Sequence, residues 1–215
     1  MSLEELNKML RRTLSVDLNY NCHYTVKNLF PISIHQFEIK NFNNIKGELI
    51  DYAYKSKAID LGGVNISNIG GWQSAPIDLS KDDLINNFLG SVLSNLPFID
   101  KSYDFNMDAW VNINNKGHFN MPHLHPMSNL SGVVWLKCPQ NCGNIVFMSP
   151  YEFMGHQEIE LYSDGFKEQY NQYTSYYFTP TEGCIVLFPS YLMHEVRPNK
   201  SNEDRISIAF NMRFE

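Results

Sequence analysis

Two histidines separated by one residue, His123 and His125, are the side chains of this sequence best placed to hold a transition-metal ion. They lie in the stretch Gly117 to Ser131, which contains the letters GHFNMPHLHPMSNLS. If this segment is extended, side chains two positions apart point to the same face, so both imidazoles can meet one ion. A facial set of three protein ligands leaves coordination positions open for other molecules. The spacing therefore predicts two thirds of such a metal site.

A third imidazole and an anion-binding pair follow much later in the chain. His194 comes after an apolar segment and a proline turn, where a strand end could return a side chain to the ion. From Arg205 onward apolar and small or polar residues alternate, which places Arg205 and Ser207 on one face as a fork for a carboxylate. If that fork is buried, it needs an anionic partner, because an unpaired buried charge is costly. A small diacid that also chelates the metal would supply one.

The elements that must position these residues change in character near Pro97. Before it, the patterns predict two helices, a strand and a glycine-rich loop that contains Trp72. We expect the strand within Leu29 to Lys40, the first helix over Asn41 to Ser56, the loop over Leu61 to Ser74, and the second helix after Ser80 as its N-cap.

Beyond Pro97 the apolar residues follow a period of two, which is typical of strands. The predicted strands are Trp110 to Asn114, Gly132 to Cys138, Asn144 to Met148, Ser175 to Thr179, Cys184 to Phe188 and Ile206 to Met212. Helices followed by many short strands indicate an α+β, mainly β chain with a β-sandwich or jelly-roll second half. We predict one domain, residues 1–215, with residues 1–97 packed on a core formed by 98–215. The least regular interval, Tyr151 to Tyr173, is expected to be a lid.

Composition excludes several classes of partner. With 17 basic and 23 acidic residues the formal charge is −6, which offers no footprint for nucleic acid or an anionic membrane. Residues 1–21 carry scattered charges and no apolar run typical of a signal peptide, so we expect a cytoplasmic protein. Within this segment Leu3, Leu6 and Leu10 recur at helical spacing and predict an amphipathic or loosely packed arm.

The remaining histidines and the cysteines carry weaker signals. We expect His23, His35 and His156 to be structural, and His118 is a weaker candidate for contact with the site. Four cysteines do not make a disulfide framework, so reduced thiols are expected. Cys138 and Cys142 could sit in a turn and join as a disulfide or hold half a metal site, although small buried thiols are the simpler interpretation.

Several of these motifs together resemble a known enzyme family. The pattern Gly117-x-x-Asn120-x-x-His123-x-His125, the segment GCIVLFP, His194 and Arg205-x-Ser207 are similar to the Fe(II)- and 2-oxoglutarate-dependent dioxygenases, most closely their prolyl-hydroxylase-like branch. LFP at residues 29–31, SNIGGWQS at 67–74 and FPS at 188–190 resemble more narrowly a bacterial and phage family of 2-oxoglutarate-Fe(II) oxygenases. The resemblance runs from about Leu29 to the end of the chain.

This resemblance implies a double-stranded β-helix, cupin-like, with supporting N-terminal helices. It also implies hydroxylation of an unidentified small-molecule or peptide substrate, with dioxygen as cosubstrate and release of succinate and CO₂. We allow for a homodimer, and we expect substrate contacts near Trp72 and over residues 148–173. The implied site residues are His123, His125 and His194 for Fe(II), Arg205 and Ser207 for 2-oxoglutarate, and Asn120, Trp135 and Asn112 for further cosubstrate contacts.

One residue departs from the pattern of the wider superfamily. Most of these dioxygenases have Asp or Glu two residues after the first histidine, and this chain has His125 there. The change removes one negative charge from the ligand set, which should alter iron affinity and redox tuning. A three-His dioxygenase of the cupin type, which needs no 2-oxoglutarate, and a non-catalytic jelly-roll binding module therefore stay open as alternatives. Glu195 is a weaker candidate for orienting an imidazole.

Overall fold

The computed structural model describes Glu5 and residues 25–94, 96–98 and 104–215. The chain divides into two units, Met1–Pro31 and Ile32–Glu215, and the elements below belong to the second. The predicted arm around Leu3, Leu6 and Leu10, together with Cys22 and His23, lies outside the described residues.

Eleven strands and four helices follow one another in the described part of the chain. The strands are β1 His35–Glu38, β2 Asn68–Ile69, β3 Trp72–Gln73, β4 Phe105–Asn114, β5 Phe119–His123, β6 Leu130–Lys137, β7 Ile145–Met148, β8 Ser175–Phe178, β9 Cys184–Pro189, β10 His194–Val196 and β11 Arg205–Phe214. The helices are α1 Asn43–Ile59, α2 Asp83–Leu93, α3 Phe153–Glu160 and α4 Asp164–Tyr170.

The strands form two antiparallel sheets. The six-stranded sheet has the order β1-β9-β6-β11-β4-β3, and the five-stranded sheet has the order β2-β5-β10-β7-β8. This is the double-stranded β-helix that the resemblance implied, and α1 and α2 lie in the N-terminal half of the chain between its first strands. None of the helices in the described regions combines the length and apolar character that crossing a membrane would need.

Alternation along β11 decides which way the six-stranded sheet faces. Its apolar side chains Ile206, Ile208, Phe210 and Met212 are fully buried, and they pack in one cluster with residues of α1 and α2. The residues that alternate with these apolar side chains lie on the opposite face of the sheet. That face is directed toward the five-stranded sheet. There a smaller cluster joins β6 and β9 to Ile145 and Phe147 of β7. The predicted two-faced strand and the helices packed on the sheet are confirmed.

The predicted N-cap of α2 is wrong by two residues. The side chain of Asp82, not Ser80, accepts the amide N–H of Ile85 at 3.0 Å. The Ser80 hydroxyl instead donates to the Asp78 carboxylate at 2.6 Å, within a turn that precedes the helix. Serine and aspartate are both suitable N-cap residues. The helix begins after Asp82, whose carboxylate also accepts a hydrogen bond from the hydroxyl of Tyr52 on α1 at 2.6 Å.

Other corrections concern short or irregular elements. The predicted strand Leu29 to Lys40 contracts to β1, and the predicted loop Leu61 to Ser74 contains β2 and β3. The irregular interval Tyr151 to Tyr173 contains α3 and α4. The Ser163 hydroxyl caps α4 by accepting the Phe166 amide, and Asn171 ends the helix in the left-handed conformation. Tyr176 and Tyr177 are exposed on β8.

The position of the cap yields a stability prediction. Asp82→Ala removes the acceptor for both Ile85 N–H and Tyr52 O–H, and should lower the free energy of unfolding by about 1–2 kcal/mol. Ser80→Ala is the matched control and should change it by less than about 0.5 kcal/mol, because its hydroxyl bonds only to an exposed turn. Urea unfolding of both variants measures the difference, and the reverse order would restore Ser80 as the cap.

Candidate metal centre

The register of two short strands places two of the predicted metal ligands together. β10 pairs with β5 so that His194 lies directly opposite His123. Directly opposed residues of antiparallel strands point to the same face. The two imidazole ring centroids are accordingly 4.3 Å apart. Pairing across strands therefore unites residues that are far apart in sequence.

His125 reaches the same place from outside the strand. The prediction that His123 and His125 share one strand is wrong, because β5 ends at His123. The backbone N–H of His125 donates instead to the carbonyl of Ser190 at 2.9 Å, which turns the chain inward. Its ring lies 5.1 Å from that of His123 and 5.2 Å from that of His194. One nitrogen from each of the three rings lies within 4.8 Å of the others, a spacing that could hold one metal ion.

Backbone carbonyls fix the orientation of two of these rings. Nδ1 of His123 lies 2.7 Å from the Met121 carbonyl, and Nδ1 of His194 lies 2.9 Å from the Leu192 carbonyl. A carbonyl only accepts, so each neutral ring carries its proton on Nδ1 and keeps the Nε2 lone pair free. Glu195, the other candidate for this role, instead pairs with Arg197 at 2.8 Å.

Burial keeps all three imidazoles neutral near pH 7. It lowers the pKa of His194 to about 3, helped by the neighbouring His123, and the pKa of His125 to about 4. The pKa of His123 is lowered by the same loss of hydration, partly opposed by its hydrogen bond to the Met121 carbonyl. Neutral imidazole is the form that binds a metal, so no proton has to be displaced there.

A buried cation lies in the same cavity. Arg205 is 2% exposed, and its Nη1 donates to the carbonyls of Cys142 at 2.6 Å, Arg197 at 3.1 Å and Gly143 at 3.3 Å. Its Nη2 is buried without a hydrogen-bond partner. Burial lowers the pKa of Arg205 to about 10, so the side chain remains charged at neutral pH. Such a group needs an acceptor, and an anion in the cavity would provide one.

Polar side chains continue from Arg205 across the six-stranded sheet. Ser207 stands opposite Asn112 of β4 and Trp135 of β6, and Gln73 of β3 stands opposite Asn112. These four side chains form one row across four strands, and all line a cavity of about 480 Å³ between the sheets. The structure brings every predicted site residue to this cavity: Asn112, Asn120, His123, His125, Trp135, His194, Arg205 and Ser207.

Sequence reasoning missed several residues of the cavity wall. On β4, Asp108, Trp110 and Asn114 alternate with buried apolar residues, and extending the Asn112 pattern along this strand would have found them. The Trp110 ring stacks 5.8 Å from that of His125. Ser74 also lines the cavity, but it lies in an irregular segment where no periodicity points to it.

Some sequence candidates lie elsewhere. Nδ1 of His118 accepts the backbone N–H of Asn115 at 3.0 Å, and His118 is not part of the metal cluster. Trp72 is buried in the core, where its indole N–H donates to the Asp60 carbonyl at 2.7 Å. His35 stacks on Phe98 at 3.7 Å. No residue of 148–173 is among those that line the cavity.

The lowered histidine pKa values yield a prediction about acid stability. In the unfolded chain His125 binds a proton near pH 6.5, whereas burial delays protonation of the folded protein to about pH 4. The unfolded state therefore binds more protons between these values, and the free energy of unfolding falls as the pH is lowered through this window. His125→Gln removes one such group, so its stability should fall less steeply than that of the wild type.

Urea unfolding of both chelator-treated proteins, at the two ends of the window, measures this difference. Parallel pH profiles would contradict the lowered pKa of His125.

Comparison with known proteins agrees with this geometry. A family model described as "Putative 2OG-Fe(II) oxygenase" matches residues 108–211. No curated protein sequence matches the chain.

Solved structures show the same fold. A Pseudomonas putida prolyl-4-hydroxylase has a TM-score of 0.60 at 17% identity, over 85% of this chain and 92% of that one. A Trichoplax adhaerens prolyl hydroxylase, in complex with a hypoxia inducible factor peptide fragment, has a TM-score of 0.58 at 15% identity, over 99% and 94%. HygX from Streptomyces hygroscopicus, with nickel and 2-oxoglutarate bound, has a TM-score of 0.56 at 11% identity, over 85% and 83%. The matched residues 108–211 include every predicted site residue, so the part of the chain that forms the cavity is similar to the 2OG-Fe(II) oxygenases.

Proposed function

We propose that this protein is a hydroxylase that oxidises a C–H bond of a small-molecule or peptide substrate and releases succinate and CO₂. The observation that carries the proposal is one cavity containing both a cluster of three neutral imidazoles and a buried guanidinium with an unpartnered N–H group. The first fits a divalent iron ion and the second fits a carboxylate. Bound iron with 2-oxoglutarate and dioxygen supplies the oxidising chemistry, and the protein supplies position and shielding from water.

Within this proposal the histidines are the iron ligands. His123, His125 and His194 would hold the ion, and the carbonyls of Met121 and Leu192 keep two of the rings in the tautomer that leaves Nε2 free. Because all three ligands are neutral, they leave the full charge of the ion to be balanced by other molecules. A dicarboxylate cosubstrate suits that requirement.

Arg205 and Ser207 would bind the carboxylate that lies away from the metal. Three backbone carbonyls hold Nη1 of Arg205 in place. Because the guanidinium is planar and rigid, the position of Nη2 is fixed as well. Ser207 lies two residues along the same face and adds a hydroxyl donor. A preorganised fork of this kind loses little conformational freedom when its ligand binds.

The neighbouring side chains would position the cosubstrate and exclude water. Asn112 and Trp135 flank Ser207 in the register of the sheet, and the Asn120 amide donates to the Ser67 hydroxyl at 3.0 Å. The Trp110 ring stacks near His125. A three-His enzyme without 2-oxoglutarate would leave the unpartnered N–H of Arg205 without a function. Release of succinate distinguishes a binding module without turnover from the proposed enzyme.

Release of succinate tests the proposal directly. The purified protein, supplied with Fe(II), ascorbate, 2-oxoglutarate and air, should convert 2-oxoglutarate slowly to succinate even without its substrate, and faster with it. Absence of 2-oxoglutarate binding by the iron-loaded protein under anaerobic conditions would contradict the proposal.

The role of Arg205 can be separated from that of the metal ligands. Arg205→Ala should weaken 2-oxoglutarate binding by about 30-fold, because about 2 kcal/mol is lost when one partner of a buried charged pair is removed. Fe(II) affinity, measured without cosubstrate, should be nearly unchanged. Anaerobic calorimetry measures both affinities.

Arg197→Ala is the matched control, since its exposed side chain pairs only with Glu195 and its carbonyl remains in place. Equal loss of metal and cosubstrate binding in Arg205→Ala would show that Arg205 is a structural residue.

His125, the histidine at the position where most of these dioxygenases have a carboxylate, gives a second test of the site. His125→Ala should lower Fe(II) affinity by more than about a hundredfold, since even residues that only orient a ligand contribute 10- to 100-fold. His125→Asp should retain iron, because a carboxylate is an equally suitable ligand. His118→Ala is the control and should bind iron like the wild type. Unchanged affinity in His125→Ala would exclude His125 from the ligand set.

A further inference from the structure

Two cysteines flank the turn whose carbonyls hold Arg205. Cys138 directly follows β6, and Cys142 lies four positions later, after a turn in which its N–H donates to the Pro139 carbonyl at 3.2 Å. Cys142 is 4% exposed, Cys138 is half-buried, and both are free thiols. The turn therefore brings the two thiols close enough for each to shift the pKa of the other, raising that of Cys138 and lowering that of Cys142, and a disulfide can form between thiols that are brought together in this way.

This turn is mechanically tied to the buried guanidinium. The Cys142 carbonyl accepts the shortest hydrogen bond of Arg205, at 2.6 Å. Gly143, at φ +90°, packs so tightly that a Cβ there would lie 2.2 Å from the Arg197 carbonyl oxygen. Across the same contact the N–H of Lys200 donates to the Asn141 carbonyl at 2.9 Å. Because this segment is tightly packed, the Cys142 backbone cannot move without displacing its carbonyl. A shift of the turn therefore lengthens the hydrogen bond from Arg205 to that carbonyl.

The chemical surroundings favour reaction of this pair over the third described cysteine. The hydrogen bond from the Cys138 thiol, and next the charge of Arg205, lower the pKa of Cys142, which favours its thiolate. Cys184 has no neighbouring thiol donor of this kind among the described cysteines, and burial raises the pKa of its thiol. Cys184 instead accepts a hydrogen bond from the Gln36 amide.

We propose that Cys138 and Cys142 form a regulatory disulfide, which draws the Cys142 carbonyl away from Arg205 and weakens binding of the 2-oxoglutarate carboxylate. The two sulfurs must approach to about 2.05 Å to bond, which shortens the turn between them. The effect on 2-oxoglutarate rests on the proposed function of Arg205. Formation of the disulfide and the movement of the turn do not.

The oxidant is a small-molecule disulfide such as oxidised glutathione. One cysteine thiolate attacks a sulfur of the reagent, whose S–S bond breaks and releases one thiol. The second cysteine thiolate then attacks the mixed disulfide and releases the second thiol. The two cysteine protons end on the two released thiols, so the cysteines are oxidised by two electrons and the reagent is reduced by two.

The first experiment detects the bond and the movement. After treatment with oxidised glutathione, peptide mapping should show a Cys138–Cys142 link, and the Lys200 amide should exchange its hydrogen faster than in the reduced protein. Cys138→Ser and Cys142→Ala should lose both responses, and Cys184→Ser should keep them. Failure of the link to form, or a link without faster exchange at Lys200, would overturn the proposal.

The second experiment measures 2-oxoglutarate affinity in the Mn(II)-loaded full chain. Oxidation should weaken binding by about tenfold, the effect of losing one strong hydrogen bond that positions a charged group. Dithiothreitol should restore it, and Cys138→Ser should not respond. Equal affinity in the oxidised and reduced proteins overturns the regulatory role. A reduced protein that binds no 2-oxoglutarate overturns the proposed function instead, and with it the regulation, while the mapping and exchange results still decide whether the disulfide forms.

Discussion

A buried arginine held only by backbone carbonyls is the constraint on which the rest of the cavity depends. Moving a guanidinium out of water costs several kcal/mol unless its hydrogen bonds are replaced. Here the carbonyls of Cys142, Gly143 and Arg197 replace those of one nitrogen, and they come from two separate connections between strands. Both connections must therefore close around the start of β11. That closure places Arg205 in the cavity wall and leaves its Nη2 buried without a hydrogen-bond partner.

The two sheets contribute different chemistry to the same space. The five-stranded sheet brings His123 and His194 together by pairing β5 with β10, and the chain beyond β5 adds His125. The six-stranded sheet contributes the cation and a row of hydrogen-bonding groups around Ser207. The three neutral imidazoles thus face the positive charge of Arg205 across the cavity. A ligand that bridges them needs a group that chelates a metal at one end and an anionic group at the other. The double-stranded β-helix is suited to this because each sheet presents one face inward.

The sequence predicted the parts of this arrangement that depend on regular alternation. In β11 the period of two placed Ile206 in the core and both Arg205 and Ser207 in the cavity, since the strand is buried on both faces. Where tertiary contacts decide the structure, prediction was weaker. Asp82 replaced Ser80 as the cap because Tyr52 of another helix also bonds to it, a contact that no local pattern contains.

The helices within residues 151–173 and the two-residue strands β2 and β3 were missed for a related reason. Elements this short leave too few positions for a period to emerge, so caps and partners determine them. His125 met the other histidines although the predicted strand ends before it. The types and spacing of the residues were therefore sufficient to predict the site. They did not predict the path of the backbone through it.

With three neutral imidazoles as the proposed iron ligands, binding of the metal should depend strongly on the cosubstrate. Among the described residues that line the cavity, Arg205 is the one side chain with a positive charge at neutral pH and Asp108 is the one acidic residue. Asp108 is already paired with Arg213 at 2.7 Å. A divalent ion would raise the charge of the cavity to about +3, with no protein carboxylate free to offset it. A bound dicarboxylate removes two of these charges, so each ligand should favour binding of the other, and by linkage the coupling is mutual. An aspartate at position 125 would relieve part of this charge in the absence of the diacid, and His125 leaves the whole of it to the ligand.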